Sequence, residues 1–298
     1  GRALLLPGGP GEAPVNILLA TPFMSQHFDS GLFWAKAICQ LGHSLLIWDY
    51  RRDPNPPPVI PDFTLILKGA GIDPRPLGRP RVCYWPDALE RTPGVQDVLQ
   101  DYDRVYTPVR PTPPGMIWLP TGWDPAIHRY TGASRDIPSL YIGTNNSERK
   151  LTFIRAVRPS VVAGNGWPNQ FLKDLGGLVK GLNGLELRDV AAWAYECQWL
   201  PPHYLHDFVA LASRAKVAIN VHQGPGGLNR KLLELIPAAF TITDRVPGVE
   251  EVLGDIAEIV SFTTPEEGRT LLQNWRGDER GREAVWEKEK ERIRPYTY

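Results

Sequence analysis

The chain has 298 residues, 42% of them hydrophobic and 22% charged, a balance that excludes disordered and collagen-like classes. Its length exceeds the usual single core, so two domains are expected. Thirty-three Lys and Arg residues offset 33 Asp and Glu residues, which removes any global electrostatic case for nucleic acid or anionic membrane and leaves only local patches. Three scattered cysteines (Cys39, Cys83, Cys197) without Cys-x-x-Cys spacing argue against a disulfide scaffold or zinc site and suit a reducing cytosol. The opening GRALLLP is broken by Pro7 too early for a signal peptide or membrane span, so a frayed terminus and a cytoplasmic protein are expected.

In chain order, VNILLA (15–20) is predicted to be a buried strand, followed by a polar loop that contains His27 and Asp29. A helix over Leu32 to Leu41 ends at Gly42 in a C′ role, and His43 to Asp49 forms a second strand. A proline-rich connector (52–61) precedes three short strands at 63–69, 81–85 and 104–108. The segment WLPTGWDPAIH (118–128) interrupts the alternation, and SLYIGT (139–144) starts a second run. That run continues with strands at 161–166, 185–189, 217–221, 240–244 and 258–262. Thr264 and Pro265 form an N-cap and N1 pair, and a charged helix over Asp278 to Arg294 closes the chain. Alternating strands and helices predict parallel sheets covered by helices, an α/β fold with two Rossmann-like domains and a boundary near 130–138.

The most informative stretch is VAINVHQGPGGLNRKLLELIPAAFTITD (217–244). A strand leads into a loop of Gly224, Pro225, Gly226 and Gly227, and Asn229 is placed to cap a helix that opens with Arg230 and Lys231. A helix N-terminus with unpaired N–H groups and two cations favours phosphate. Glu234 shares their face at i+4 and i+3. An ion-paired surface helix would show the same charges, but the glycines directly before them favour phosphate or nucleotide. The pattern is neither a P-loop nor a G-x-G-x-x-G fingerprint. His222, at the strand's end, fits both a structural histidine and a phosphate or sugar contact.

These residues resemble the GT-B glycosyltransferases, in particular the CgeB-like and glycosyl transferases group 1 sequences. The resemblance rests on CYWPD (83–87), YDRVYTP (102–108), WLPTGWDPAIH (118–128), YIGTNNSERK (141–150), AGNGWP (163–168), AINVHQGPGGLNRKLLE (218–234) and YTY (296–298). It implies an acceptor-side domain over 1–135, a nucleotide-sugar domain over 136–275 and a terminal helix over 276–298 that packs back on the first domain, with a cleft between the domains. By motif, Glu234 is expected to grip the donor ribose and Lys231 the diphosphate, with Arg230 beside it. Arg149 and Thr144, in the loop after SLYIGT, are expected near the phosphates. Trp199 and Leu200 are expected to hold the base through backbone groups. The sequence departs from the retaining branch at Gly226, where a glutamate is usual, which leaves the stereochemistry open. After the helix it carries Pro237, Ala238 and Ala239 in place of a glycine turn.

The resemblance therefore implies a metal-independent transfer of sugar from a nucleoside-diphosphate donor, UDP-linked, to a hydroxyl. No cofactor is expected beyond that co-substrate. The cations and helix N-terminus would meet the leaving diphosphate. The one Asp-x-Asp, Asp101-Tyr102-Asp103, precedes a strand and is assigned to capping rather than metal. A general base is sought among Asp87, Asp29 and His27, led by Asp87, although Asp29 could equally cap the following helix. Asp124 and His128 are expected to fix the linker. The tryptophans 118, 123, 167, 193 and 199 are expected in the core, with one or two stacking on base or sugar. A sugar-nucleotide epimerase and a non-catalytic sugar-nucleotide binder are the alternatives. The acceptor stays open among glycan, small molecule, protein and modified DNA or RNA base. Arg51, Arg52, Arg75, Arg79 and Arg81 keep the last in play.

Overall fold

A computed structural model describes residues 13–22, 30–69, 71–86, 97, 99–167, 184–224 and 226–298. The chain divides into two compact units, Gly1–Trp123 together with Tyr298, and Asp124–Thr297.

The first unit holds β1 (Asn16–Thr21), α1 (Ser30–Gln40), β2 (Ser44–Asp49), β3 (Phe63–Leu67), β4 (Arg81–Tyr84), β5 (Arg104–Thr107) and β6 (Ile117–Trp118). All neighbouring strands pair parallel, in the order β2-β1-β3-β4-β5-β6. The strands read as continuous apolar runs because both faces are covered. Along β1, Ile17 and Leu19 join one apolar cluster while Leu18 and Ala20 join another. Gly42 follows α1 at φ 82°, the left-handed turn expected of it. Asp103 accepts from the Arg81 amide at 2.7 Å and from Arg79 Nη1 at 2.9 Å, so this member of the Asp-x-Asp pins strand entries.

The second unit holds β7 (Leu140–Ile142), α2 (Glu148–Val157), β8 (Val161–Ala163), α3 (Gly184–Glu196), β9 (Gln198–Leu200), α4 (Leu205–Ser213), β10 (Ala218–Asn220), α5 (Arg230–Leu235) and β11 (Thr241–Asp244). It continues with the short helices α6 (Val249–Leu253) and α7 (Ala257–Val260), β12 (Ser261–Phe262), α8 (Pro265–Gly277) and α9 (Glu279–Ile293). The parallel order β12-β11-β10-β7-β8-β9 is that of the dinucleotide-binding sheet, and it reverses direction between β7 and β10. Ligands of open α/β sheets gather at the strand ends beside such a reversal. The stretches following β7 and β10 are the two that carry Arg149 and the glycine-rich loop. Helix α9 is tied within this unit, where Trp286 Nε1 donates to the Ile236 carbonyl at 2.6 Å and Glu289 accepts from the Thr241 amide at 3.1 Å. Tyr298, counted with the first unit, stacks on Phe33 at 5.4 Å.

Two expected strands are corrected. LELRD (185–189) lies inside α3, because the alternation of five residues gives way to helical spacing at Val190, Trp193, Ala194 and Cys197, all buried. EIVSF (258–262) is one helical turn, with Ala257 and Val260 buried, followed by only two strand residues. The short strands β6 and β9 were not anticipated. Two or three residues leave too little period to detect.

Candidate functional site

The glycine-rich stretch after β10 is held at both ends by Asn229. Its Oδ1 accepts from the Leu232 amide at 3.1 Å, which caps α5, and its Nδ2 donates to the Val221 carbonyl at 3.3 Å, which ties the loop to the strand's exit. Pro225 lies outside the described residues. A Cβ on Gly226 would meet nothing within 4 Å, so packing does not explain the glycine there. Gly226 and Gly227 are both half-buried.

Helix α5 turns Arg230 and Glu234 onto one face, as their spacing requires, and Arg230 Nε meets Glu234 Oε1 at 2.6 Å. Glu234 is 7% exposed, an unusual burial for a carboxylate unless paired. His128 Nε2 lies 3.6 Å from the same Oε1. The Asp124 amide donates to His128 Nδ1 at 3.0 Å, so Nε2 carries the proton of the neutral ring and faces the carboxylate. Burial holds the imidazole below its ordinary pKa, against the pull of Glu234. Asp124 Oδ1 also accepts from the Ala126 amide at 2.8 Å, so this turn both shapes the chain there and presents His128 to the site. No hydrogen bond among the described residues ends on Glu234 Oε2. One carboxylate oxygen is therefore engaged and the other is available.

Lys231 is half-buried and has no hydrogen bond among the described residues. Burial, then the like charge of Lys150, lowers its pKa to about 8. Lys150 is buried, with Nζ donating to Asn146 Oδ1 at 2.9 Å.

Arg149 is placed differently from the expectation of a loop arginine. It lies in the first turn of α2, which Ser147 caps, and its guanidinium reaches Asp244 Oδ2 from Nη2 at 2.8 Å and Nε at 3.3 Å. Asp244 is fully buried at the end of β11 and also accepts from the His222 amide at 2.8 Å and lies 2.6 Å from His222 Nδ1. Burial works against ionisation of this carboxyl. The charge and hydrogen bonds of His222 and those of Arg149 outweigh it and keep the pKa below the ordinary carboxylate range. His222 is itself fully buried, with Nε2 3.4 Å from Asn220 Nδ2, so both ring nitrogens face protein partners. Asp244 was missed because a carboxylate ending a short strand looks like any capping residue.

Thr144 is exposed in the stretch between β7 and α2. The Trp199 side chain is turned into the protein, stacked on Trp167 at 6.3 Å and edge-on to Trp193 at 5.8 Å, with Nε1 donating to the Ala194 carbonyl at 3.1 Å. The Leu200 carbonyl accepts from the Gly164 amide at 3.1 Å, so that oxygen is already engaged. Gly164, at φ 144°, could not carry a side chain, since its Cβ would fall 2.0 Å from the Gly143 carbonyl oxygen. The ends of β7 and β8 thus meet backbone to backbone. Asp87, Asp29 and His27, the candidate bases, lie outside the described residues.

A family model described as glycosyl transferase-like matches residues 149–298, half of the chain. The chain belongs to that glycosyl transferase-like family. No curated protein matches it. Among solved structures, this glycosyltransferase is similar to one from Rickettsia africae at 10% identity, with a TM-score of 0.62 and coverage of 96% of this chain and 95% of that one. An α-glucosyltransferase solved with UDP and a 13-mer DNA containing an HMU base gives 12% identity, a TM-score of 0.60 and 96% coverage of each chain. The T4 phage BGT solved with its UDP-glucose substrate gives 10% identity, a TM-score of 0.58, and coverage of 93% of this chain and 94% of that one. At such identities the likeness is one of fold. The glycosyltransferase has the GT-B pair of parallel α/β sheets, and among its described residues no helix is long and apolar enough to cross a membrane.

Proposed function

We propose that this glycosyltransferase moves a sugar from a UDP-linked donor to a hydroxyl acceptor. The observation that carries the reading is the carboxylate of Glu234, buried in the last turn of α5 with Oε1 fixed by Arg230 and Oε2 without a hydrogen bond among the described residues. A carboxylate held this way accepts hydrogen bonds from a ribose diol without first paying to order itself. Lys231, one turn away and without a hydrogen bond among the described residues, then meets the diphosphate, whose charge grows as the glycosidic bond breaks. Solved neighbours in complex with UDP or UDP-glucose support uridine as the base. Metal independence is part of the proposal, because Lys231 and Lys150 supply positive charge at the same place.

Two neighbours are in complex with DNA. In this chain the arginine cluster that kept a nucleic-acid acceptor in play is largely engaged internally. Arg75 pairs with Asp73 at 2.8 Å, Arg79 with Asp103 at 2.9 Å, and the buried Arg81 donates to the Pro74 carbonyl at 2.9 Å. A small or glycan hydroxyl acceptor is therefore favoured. Glu234→Ala should weaken UDP binding by about 1.5–3 kcal/mol, roughly tenfold to a hundredfold, with an unchanged circular dichroism spectrum. Unaltered affinity in calorimetric titration of the folded variant would remove the assignment.

A further inference from the structure

At the opposite end of the second sheet from the glycine-rich loop, a cavity of about 480 Å³ opens where α2, α3 and α8 end, next to Pro159 and Ser160 at the entry of β8. Its apolar wall includes Trp193 and Leu272, and three arginines line it: Arg158, Arg269 and Arg276. Two carboxylates, Asp189 and Glu196, also line it and leave three arginines against two acids. Asp189 reaches Arg158 only at 3.6 Å with a side chain 64% exposed, and Glu196 is exposed with no ion pair among the described residues.

Arginines at helix C-termini commonly serve the terminal carbonyls. That role is already filled here. The Trp275 and Arg276 carbonyls at the end of α8 accept from Arg282, and α2 is closed by the backbone N–H of Arg158, at φ 58°, donating to the Ile154 carbonyl. The Arg276 guanidinium instead donates to Ser139 Oγ. The Nε atoms of both Arg158 and Arg276 are buried without a hydrogen-bond partner among the described residues. Arg269 has no ion pair among the described residues. Burial, then the like charge of Arg269, pushes the Arg158 guanidinium below its ordinary pKa although Asp189 pulls the other way, so the one mostly exposed carboxylate against Arg158 does not offset the two neighbouring cations.

We propose that this cavity is a second anion site, taking a small phosphate-bearing ligand distinct from the sugar donor. Guanidinium forks from two helices around a cavity open to solvent suit a multi-oxygen dianion, and the volume is in the range of small-molecule sites rather than of a polymer track. The apolar wall of Trp193 and Leu272 leaves room for an organic body beside the phosphate.

The test titrates inorganic pyrophosphate into the full chain already saturated with UDP. Arg269→Gln removes a half-exposed cation that has no ion pair among the described residues and is expected to fold; binding should weaken about tenfold or more in it, the loss of one charge-assisted contact, with UDP binding unchanged. A charge reversal, Arg276→Glu, should abolish pyrophosphate binding. Absence of binding to the native chain, equal binding by Arg269→Gln, or binding of a DNA oligonucleotide with none of pyrophosphate would each overturn the proposal. Should UDP itself fail to bind, the donor assignment falls, while the comparison of native chain with Arg269→Gln still reports on this cavity.

Discussion

At the scale of single residues, the glycine-rich end of the second unit is a problem of placing charges in a half-buried space. Glu234 is tolerable there because Arg230 and His128 both face its Oε1. Lys231 is only partly relieved by Glu234, and burial with the like charge of Lys150 brings its pKa from 10.5 down to about 8. Two opposite consequences follow from the sign of that shift. Between about 8 and 10.5 the unfolded chain binds the proton that the folded chain has lost, so ligand-free stability rises with pH across this window. On the proposed reading UDP binds the ammonium form, so its affinity is expected to fall as pH rises through about 8. Calorimetric titrations along a pH series should show that fall in the native protein and a flat profile in Lys231→Met. Arg230, Lys231, Glu234 and Asn229 were legible because helix spacing and cap chemistry are local. The clamp of Asp244 on Arg149 and His222 was not. Its members are brought together only by the order of strands in the sheet, which no local period records.

At the scale of elements, caps and glycines were read more securely than short strands. Thr264 accepts from the Glu267 amide at 3.2 Å, and Glu267 reaches back to the Thr264 amide at 3.2 Å, a complete capping box in front of α8. Thr264→Ala should cost about 1 kcal/mol, seen as a fall of about 2–4 °C in melting temperature by calorimetry. An unchanged melting temperature would mean that α8 is held by its packing alone. The segment 185–189 misled for a physical reason: five residues sample too little of a helix to distinguish a period of 3.6 from one of 2. The turn at 124–128 carries a lesson of a different kind. Its aspartate and histidine look like connectors, and Asp124 is one, yet His128 contacts a buried carboxylate more than 100 residues away in sequence.

At the scale of the whole molecule, two parallel sheets and membership of the glycosyl transferase-like family frame the chemistry. The sheet order of the second unit could not be read from alternation, which predicts parallel strands but not which strands are neighbours. That order decides the site, because the reversal between β7 and β10 puts the N-terminal turn of α2 and the glycine-rich loop at the same edge. The central claim is that this edge receives a uridine diphosphate without the help of metal. The most direct measurement is a thermal-shift panel of UDP, GDP, ADP, dTDP and CMP, each with and without EDTA. A ligand that binds the native state raises the melting temperature by mass action. The account predicts stabilisation by UDP above the others, unchanged by EDTA. Stabilisation by none of the five, or stabilisation by UDP that EDTA removes, would contradict it.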